Sequence, residues 1–187
     1  MNFEIDYLPK LGRRARGFGR MFELLGERRR ETGPLIIVET GCLRSLNWEG
    51  DGCSTILFHE FAVETRSRLV SIDINPAHCM LARGHCPQAE VLCGDAVQVL
   101  YQLRSKVEKI DLLYLDSYDV DWNDPHPSAL HHFKELCAAS PMLRCGSLVF
   151  VDDHVPDNGK PLYVREYMLG IGAEIVHEDY QIGFVMP

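Results

Sequence analysis

Short apolar runs alternate with segments of helical periodicity from Pro34 onward. The runs are rich in β-branched residues and are bounded by glycine, proline or polar residues, which is typical of buried strands. Five such strands, each followed by a helical pattern, cover residues 35–38, 69–74, 90–93, 110–115 and 147–151. Continuously apolar strands that alternate with helices predict a parallel sheet covered by helices on both faces.

The C-terminal part of the pattern differs, because apolar runs at 173–177 and 180–185 flank a tight polar turn at Glu178-Asp179. Two strands joined by so short a turn are antiparallel. The whole pattern predicts an α/β fold: a Rossmann-like three-layer sandwich with a seven-stranded, mostly parallel sheet and an antiparallel C-terminal hairpin strand. We divide the chain into an N-terminal helical arm, residues 1–33, and a main domain, residues 34–187.

Charge separates the arm from the main domain. The 187 residues carry a net charge of −8, but residues 1–30 hold eight basic and four acidic residues, which leaves −12 on the rest. This acidic balance argues against a general nucleic-acid binder. The basic arm is open to three interpretations: a solvated amphipathic helix, a contact to nucleic acid or a membrane, or packing against its own acidic domain.

Nothing in the sequence predicts a membrane partner. No run of 18 apolar residues exists, and the first residues lack the order of a signal peptide. The seven cysteines are odd in number and show no Cys-x-x-Cys spacing. We therefore expect a cytoplasmic protein with reduced thiols.

Candidate binding residues lie where the strands end, because ligands of open α/β sheets bind beyond the carboxyl ends of the strands. Glu39 and Gly41 end the first strand, and Gly52 and Ser54 lead into the next helix. Glycine lets backbone approach a ligand closely, and a helix N-terminus offers free N–H groups. Ser54 is also the expected N-cap of that helix.

The second and third strands end in carboxylates. Asp73 follows Gly52 by 21 residues, at a place where an acidic side chain can accept bonds from both hydroxyls of a ribose. Asp95, followed by Ala96, can accept from an adenine amino group and is expected to cap the next helix. The first turn lacks Gly-x-Gly-x-x-Gly, which argues against NAD or FAD.

In their order and spacing these segments resemble class I S-adenosylmethionine-dependent methyltransferases. The resemblance covers about residues 34–187 and rests on the final hairpin and on these segments: VETG at 38–41, GCST at 52–55, SID at 71–73, GDA at 94–96 and DLLYLD at 111–116. It implies the methyltransferase fold, S-adenosylmethionine as cofactor and a methyltransferase activity of the class EC 2.1.1.-.

The resemblance also implies roles for single residues. Glu39 and Gly41 would line the methionine side of the cofactor, and Asp73 would hold the ribose. Asp95 and Ala96 would frame the adenine. The predicted cofactor-binding set is completed by Gly52, Ser54 and Asp116.

The sequence departs from the family pattern after the first strand, where residues 42–49 lengthen the loop. Loops of this length in compact domains are often functional. We predict that Arg44, Asn47 and Trp48 fold over the cofactor or the acceptor. The alternative is that Trp48 only packs and pins the loop.

Three carboxylates follow the fourth and fifth strands: Asp116, Asp152 and Asp153. Oxygen ligands of this kind suit a hard divalent cation, which would lower the pKa of a bound acceptor hydroxyl. The set resembles the metal site of the catechol and macrocin-type O-methyltransferases, which implies Mg²⁺ held by these aspartates. Neighbouring strand residues point to opposite faces, so Asp152 and Asp153 can share an ion only if the strand ends there. The alternative is that one of them caps a helix and the other pairs with a basic residue.

The general base is less well defined. The catechol-type pattern has a lysine shortly after the first metal aspartate, where this sequence has Asp119. The predicted catalytic set is therefore Asp116 with two histidines, His154 beside the metal aspartates and His126 in the following loop. A neutral imidazole titrates in the useful range. We favour His154 over His126.

The expected function is methyl transfer from S-adenosylmethionine to a hydroxyl of a small molecule with help from a divalent metal. Residues 118–126, rich in aromatic and polar groups, are the expected wall of the acceptor site. Two alternatives stay open: an N-methyltransferase that acts on a peptide, protein or nucleic acid, and a cofactor-binding module without catalysis. A homodimer formed through the arm is compatible with the small size of the chain.

Overall fold

The computed structural model describes residues 3–48 and 53–187. Its main sheet contains strands with bounds close to the predicted ones: β1 Ile36–Thr40, β2 Arg68–Asp73, β3 Glu90–Cys93, β4 Ile110–Leu115, β5 Leu143–Val151, β8 Glu174–Glu178 and β9 Ile182–Val185. Between β5 and β8, two short strands form a separate hairpin: β6 His154–Val155 and β7 Asn158–Gly159.

The order of strands in the main sheet is β3-β2-β1-β4-β5-β9-β8. The five strands from β3 to β5 are parallel, while β9 runs antiparallel to both β5 and β8. This confirms the predicted seven-stranded, mostly parallel sheet with an antiparallel C-terminal strand. The order reverses between β1 and β4, and ligands of open α/β sheets bind at the carboxyl edge near such a switch point.

Helices cover both faces of the sheet, with these bounds: α1 Phe3–Asp6, α2 Ala15–Thr32, α3 Ser54–Thr65, α4 Pro76–His85, α5 Ala96–Leu103, α6 His126–Ala139 and α7 Leu162–Gly170. Alternate residues of a strand point to opposite faces. Val38 and Leu113 accordingly pack in one apolar cluster with residues of α5, α6 and α7. Ile37 and Leu112 pack in a second cluster with residues of α2 and α3.

The starts of two helices are set by capping side chains. Oδ1 of Asp95 accepts from the backbone N–H of Gln98 at 3.0 Å, which confirms the predicted cap of α5. Asn75 caps α4 in the same way. The predicted cap at Ser54 is wrong, because Cys53 precedes the first residue of α3 and the Ser54 hydroxyl is bonded elsewhere.

The basic arm packs against its own domain, one of the three interpretations left open above. Helix α2 places Phe18, Met21 and Leu25 in the second apolar cluster with at most 1% of each side chain exposed. Full burial of such a side chain contributes about 1.5–3 kcal/mol. At the far end of α2, Arg28 Nε lies 2.8 Å from Oδ1 of the buried Asp111. Among the described residues, no helix combines the length and apolar character that crossing a membrane requires.

Candidate active site

Glu39 is fully buried at the end of β1, and three hydroxyl groups saturate its carboxylate. Oε1 accepts from Ser54 Oγ at 2.5 Å, while Oε2 accepts from Thr55 Oγ1 at 2.7 Å and Ser71 Oγ at 2.6 Å. Burial raises the pKa of Glu39 to about 7 despite these bonds. Glu39 therefore links the first turn of α3 to strands β1 and β2.

Gly41 lets the ends of β1 and β4 approach each other closely. Its φ is +83°, in the region that favours glycine, and a Cβ atom at this position would collide with the backbone carbonyl of Asp116. The Asp116 N–H also donates to Thr40 O at 3.0 Å, which is a hydrogen bond between the same two strand ends. The ends of β1 and β4 are thus joined by a direct backbone contact, which the Glu135 carboxylate reinforces by accepting from Thr40 Oγ1 and Ser117 Oγ.

Asp73 ends β2 and holds its carboxylate with backbone bonds on both oxygens. Oδ1 accepts from the Asn75 N–H at 2.7 Å, and Oδ2 accepts from the Cys42 N–H at 3.1 Å. His78 Nδ1 lies 3.3 Å from Oδ2. Asp73 lines a cavity of about 200 Å³, which we call the Asp73 cavity, and its other lining residues include Gly41, Arg44, His78, Asp116 and Asp119.

The other predicted cofactor residues lie apart from this cavity or outside the described chain. Asp95 uses Oδ1 to cap α5, and the buried Ala96 begins that helix. Ser54 is bonded to Glu39. Gly52 falls in residues 49–52, outside the described residues.

Asp116, Asp152 and Asp153 form an acidic cluster, as their positions at two adjacent strand ends predict. One carboxylate oxygen of each lies within 4.8 Å of the others. Strand β5 ends at Val151, and Asp153 then adopts a φ of +51°, so the chain turns and both aspartates reach the cluster. Asp152 is fully buried, and burial, reinforced by Asp116, raises its pKa to about 7.

Two basic residues that the sequence analysis did not single out bind this cluster. The ammonium group of Lys160, which is 1% exposed, bonds Oδ1 of Asp116 and lies 2.9 Å from Oδ2 of Asp153. Arg14, at the start of the arm helix, places Nε 2.6 Å from Oδ2 of Asp152. Burial opposes the charged forms of both bases, but the aspartates outweigh it and raise the pKa of each. Both side chains are therefore fixed cations.

The acidic cluster has some of the features of a site for a divalent ion. Its carboxylate oxygens are suitable ligands, and Oδ1 of Asp152 is buried with no hydrogen-bond partner among the described residues. Against this, Lys160 and Arg14 already bind all three carboxylates. Two of the three carboxylates that would bind a divalent ion are bonded to Lys160, so the ion would have to displace the Lys160 ammonium group from both. In this arrangement the residues do not fit a metal, and the expected Mg²⁺ stays a prediction.

A second cavity, of about 480 Å³, adjoins the first and is called the Asp153 cavity here. Arg44, His78 and Asp119 line both cavities, and Trp122 belongs to the second alone. Arg44 Nη1 bonds both oxygens of Asp119 at 2.9 and 3.0 Å, which links the long loop after β1 to the segment after β4. Asp119, Val120 and Trp122 thus line this cavity, and the role of residues 118–126 as the wall of the acceptor site stays a prediction.

Trp48 lies at the arm side of the long loop. Its ring centroid is 5.3 Å from that of Tyr7, and the Lys10 ammonium sits 5.2 Å from the indole. Trp48 is partly buried against the second apolar cluster. These contacts favour the alternative in which Trp48 packs and pins the loop.

The two candidate bases lie apart from both cavities. His154 Nε2 is 3.4 Å from Glu178 Oε1, and the cavities that His154 lines contain neither Asp116 nor Asp152. Burial lowers the pKa of His154. His126 Nδ1 is paired with Tyr163 Oη at 2.8 Å. These contacts place neither imidazole at the acidic cluster. The catalytic role of both histidines stays a prediction.

The chain matches no protein-family model and no curated protein in sequence. In structure it is similar to the O-methyltransferase NovP, with a TM-score of 0.60, 16% identity, 82% of this chain covered and 72% of NovP. For the calicheamicin methyltransferase CalS11 the TM-score is 0.57 at 17% identity, with 88% and 79% of the two chains covered.

A third similar structure is the methyltransferase MycE from the mycinamycin biosynthetic pathway, solved with Mg, SAH and mycinamycin VI. Here the TM-score is 0.62 at 14% identity over 92% of this chain and 49% of MycE, so the chain spans about half the length of that protein. Together with the strand order, these similarities show the class of the fold. The chain has the fold of the class I S-adenosylmethionine-dependent methyltransferases.

Proposed function

We propose that this protein transfers a methyl group from S-adenosylmethionine to a hydroxyl group of a small molecule. The observation that carries the proposal is the pair of adjoining cavities at the carboxyl edge of the sheet, which share Arg44, His78 and Asp119. One cavity presents the Asp73 carboxylate and the other presents Asp153. Two ligands bound side by side there would meet at the ends of β1 and β4.

On the cofactor side, Asp73 would accept hydrogen bonds from the ribose hydroxyls. Its carboxylate is already oriented by the backbone N–H groups of Cys42 and Asn75, so little freedom is lost when the cofactor binds. His78, 3.3 Å from Asp73, can bond the same hydroxyl pair. Gly41 leaves room for the cofactor at the β1 end by keeping that turn free of a side chain.

On the acceptor side, the reaction needs alignment of an oxygen with the methyl carbon and removal of one proton. The oxygen lone pair forms the new C–O bond while the C–S bond breaks and its electron pair goes to sulfur. The hydroxyl proton goes to a carboxylate of the acidic cluster, of which Asp153 lines the acceptor cavity. Arg44, Asp119 and Trp122 would hold the acceptor.

The participation of a divalent metal is tested separately from methyl transfer. The Mg present in the MycE complex supports Mg²⁺ at Asp116, Asp152 and Asp153. The bonds from Lys160 and Arg14 to the same carboxylates oppose it. Turnover that stays complete in EDTA would exclude the metal, and turnover that depends on added Mg²⁺ would establish it.

Cofactor binding is the first test of the proposed function. We expect S-adenosylmethionine, and not NAD, to raise the melting temperature of the protein, because a ligand that binds only the folded state stabilises it. Asp73→Asn should weaken calorimetric binding by about 10- to 100-fold, the effect of lost hydrogen bonds to a charged group. Asp157→Asn is the matched control, since Asp157 is exposed and lies in the β6–β7 turn.

If S-adenosylmethionine does not shift the melting temperature, the methyltransferase proposal is wrong. Binding of S-adenosylmethionine without transfer to any hydroxyl or amine in a broad acceptor panel would favour a non-catalytic module. Salt-sensitive binding to nucleic acid would favour the N-methyltransferase alternative. The bonds from Arg14 and Arg28 to Asp152 and Asp111 speak against a nucleic-acid role for those two arm residues.

The cytoplasm is the location we propose for this activity. All seven cysteines are free thiols, and Cys42, Cys53, Cys79 and Cys86 are buried. Persistent free thiols are typical of reducing compartments.

A further inference from the structure

Lys160 is a charged side chain in a place where lysine is rarely found. It is 1% exposed, and lysine is almost never fully buried unless it is paired. Its ammonium group bonds Asp116 from the end of β4 and Asp153 from the turn after β5. It therefore lies at the point where the two strand ends meet, bonded to Asp153, which is a lining residue of the Asp153 cavity.

The β6–β7 hairpin is what brings Lys160 to this point. Gly159 has a φ of +91°, and a Cβ atom there would collide with the backbone carbonyl of Asp153. The next residue, Lys160, donates its backbone N–H to the same carbonyl at 3.3 Å. Because the hairpin folds back tightly onto Asp153, the Lys160 side chain reaches the acidic cluster and is buried there.

The charges around the cluster are nearly balanced without a metal. Three carboxylates face two fixed cations, since Arg14 bonds Asp152 and Lys160 bonds the other two aspartates. A divalent ion added to this set would stand next to a buried ammonium group, which repels it strongly in a medium of low dielectric. Because Lys160 is 1% exposed, its ammonium group cannot move into bulk solvent to make room for the ion.

Resting on the proposed function, we propose that Lys160 is the resident cation of the acceptor site and takes the place of a divalent metal ion. An ammonium group has three N–H donors, and two of them are used by Asp116 and Asp153. The third donates to the acceptor oxygen and stabilises negative charge on it as its proton leaves. The aspartates orient the ammonium, as they would otherwise orient a metal.

The test uses Mn²⁺ as a paramagnetic substitute for Mg²⁺, read by electron paramagnetic resonance, with EDTA-treated full-length protein. We expect the wild-type chain to leave the free Mn²⁺ signal unchanged. Lys160→Ala opens the cluster and should bind a single Mn²⁺ that excess Mg²⁺ displaces. Lys109→Met is the matched control, because Lys109 also bonds an aspartate, Asp111, but away from the cluster. It should bind no Mn²⁺.

Turnover gives a second, independent readout. In EDTA, the wild-type protein should keep full methyl transfer, and Lys160→Ala should lose at least about tenfold, the effect of one charge-assisted hydrogen bond. Mg²⁺ should restore part of that loss and raise the melting temperature of the variant. A purely structural lysine would show neither rescue.

Several results would overturn the inference. Stoichiometric Mn²⁺ binding by the wild-type protein would do so, even if Lys160→Ala fails to fold. Full turnover of Lys160→Ala in EDTA would also do so. Failure of the proposed function is distinguishable from failure of this inference. The wild-type chain would then not bind S-adenosylmethionine, while the Mn²⁺ measurement would still show whether Lys160 or a metal ion occupies the cluster.

Discussion

The guanidinium group of Arg14 lies 2.6 Å from Oδ2 of Asp152, so the N-terminal arm closes one side of the acidic cluster. Arg14 also reaches Oδ1 of Asp153 at 3.4 Å, and its guanidinium lies 5.1 Å from the centre of the Tyr180 ring. The arm thus contributes to the candidate site as well as to the core.

Arg14→Ala should lower the free energy of unfolding by about 3 kcal/mol, because it leaves the fully buried Asp152 carboxylate without its cation. Urea denaturation at neutral pH measures this change. Arg13→Ala is the control: the exposed Arg13 places its guanidinium 4.1 Å from the centre of the Tyr180 ring and bonds no member of the cluster among the described contacts. Equal losses for both variants would contradict the assignment of Arg14 to the cluster.

Gly41→Ala should disrupt the site more than the fold. Both Gly41 and Gly33 have a positive φ, so alanine at either costs about 1–3 kcal/mol in backbone strain. Only at Gly41 does the new methyl group also collide with the Asp116 carbonyl, because nothing lies within 4 Å of a Cβ at Gly33. We expect S-adenosylmethionine affinity to fall about tenfold or more for Gly41→Ala, and to stay unchanged for Gly33→Ala, in calorimetric titrations.

The stability of the protein should depend on His132 below neutral pH. His132 is fully buried, its Nδ1 is 2.8 Å from Ser128 O, and burial lowers its pKa to about 4. The unfolded chain takes up a proton at its usual pKa near 6.5, whereas the folded chain does not until pH 4. Burial of the neutral His132 therefore costs no stability well above pH 6.5, and the free energy of unfolding decreases as the pH falls from 6.5 toward 4.

Between pH 7 and 5 this effect amounts to about 2 kcal/mol. His132→Asn should remove it, because asparagine keeps an N–H near the position of Nδ1 and does not titrate. Urea midpoints measured at both pH values give the comparison, with the exposed His85→Asn as control. If His132→Asn loses as much stability on acidification as the wild-type protein, His132 is not the cause.

Much of the fold could be predicted because each strand is short, apolar and followed by a helical pattern. Strands β3 and β4 begin and end at the predicted residues, and β5 begins four residues earlier than predicted. The meeting of Asp116, Asp152 and Asp153 also followed from strand order, since carboxyl ends of neighbouring parallel strands share one edge.

The cations of the cluster could not be predicted in the same way. Arg14 and Asp152 are 138 positions apart, and Lys160 and Asp116 are 44 apart, so no local periodicity connects them. The charge of the arm left open whether Arg14 faces solvent or its own domain, and in the structure its side chain is 16% exposed and bonded to the cluster. One signal was available for Lys160: it follows a glycine in the short turn region after two aspartates, where the chain has to fold back on itself.

The N-terminal arm and the turn before β9 meet at one aspartate, since Asp153 is bonded by Arg14 from the arm and by Tyr180 from that turn. Contacts between residues so far apart in sequence close large loops, which costs chain entropy before the contacts are gained. We therefore expect the candidate site to close late in folding, after the arm and the C-terminal hairpin have both packed on the sheet.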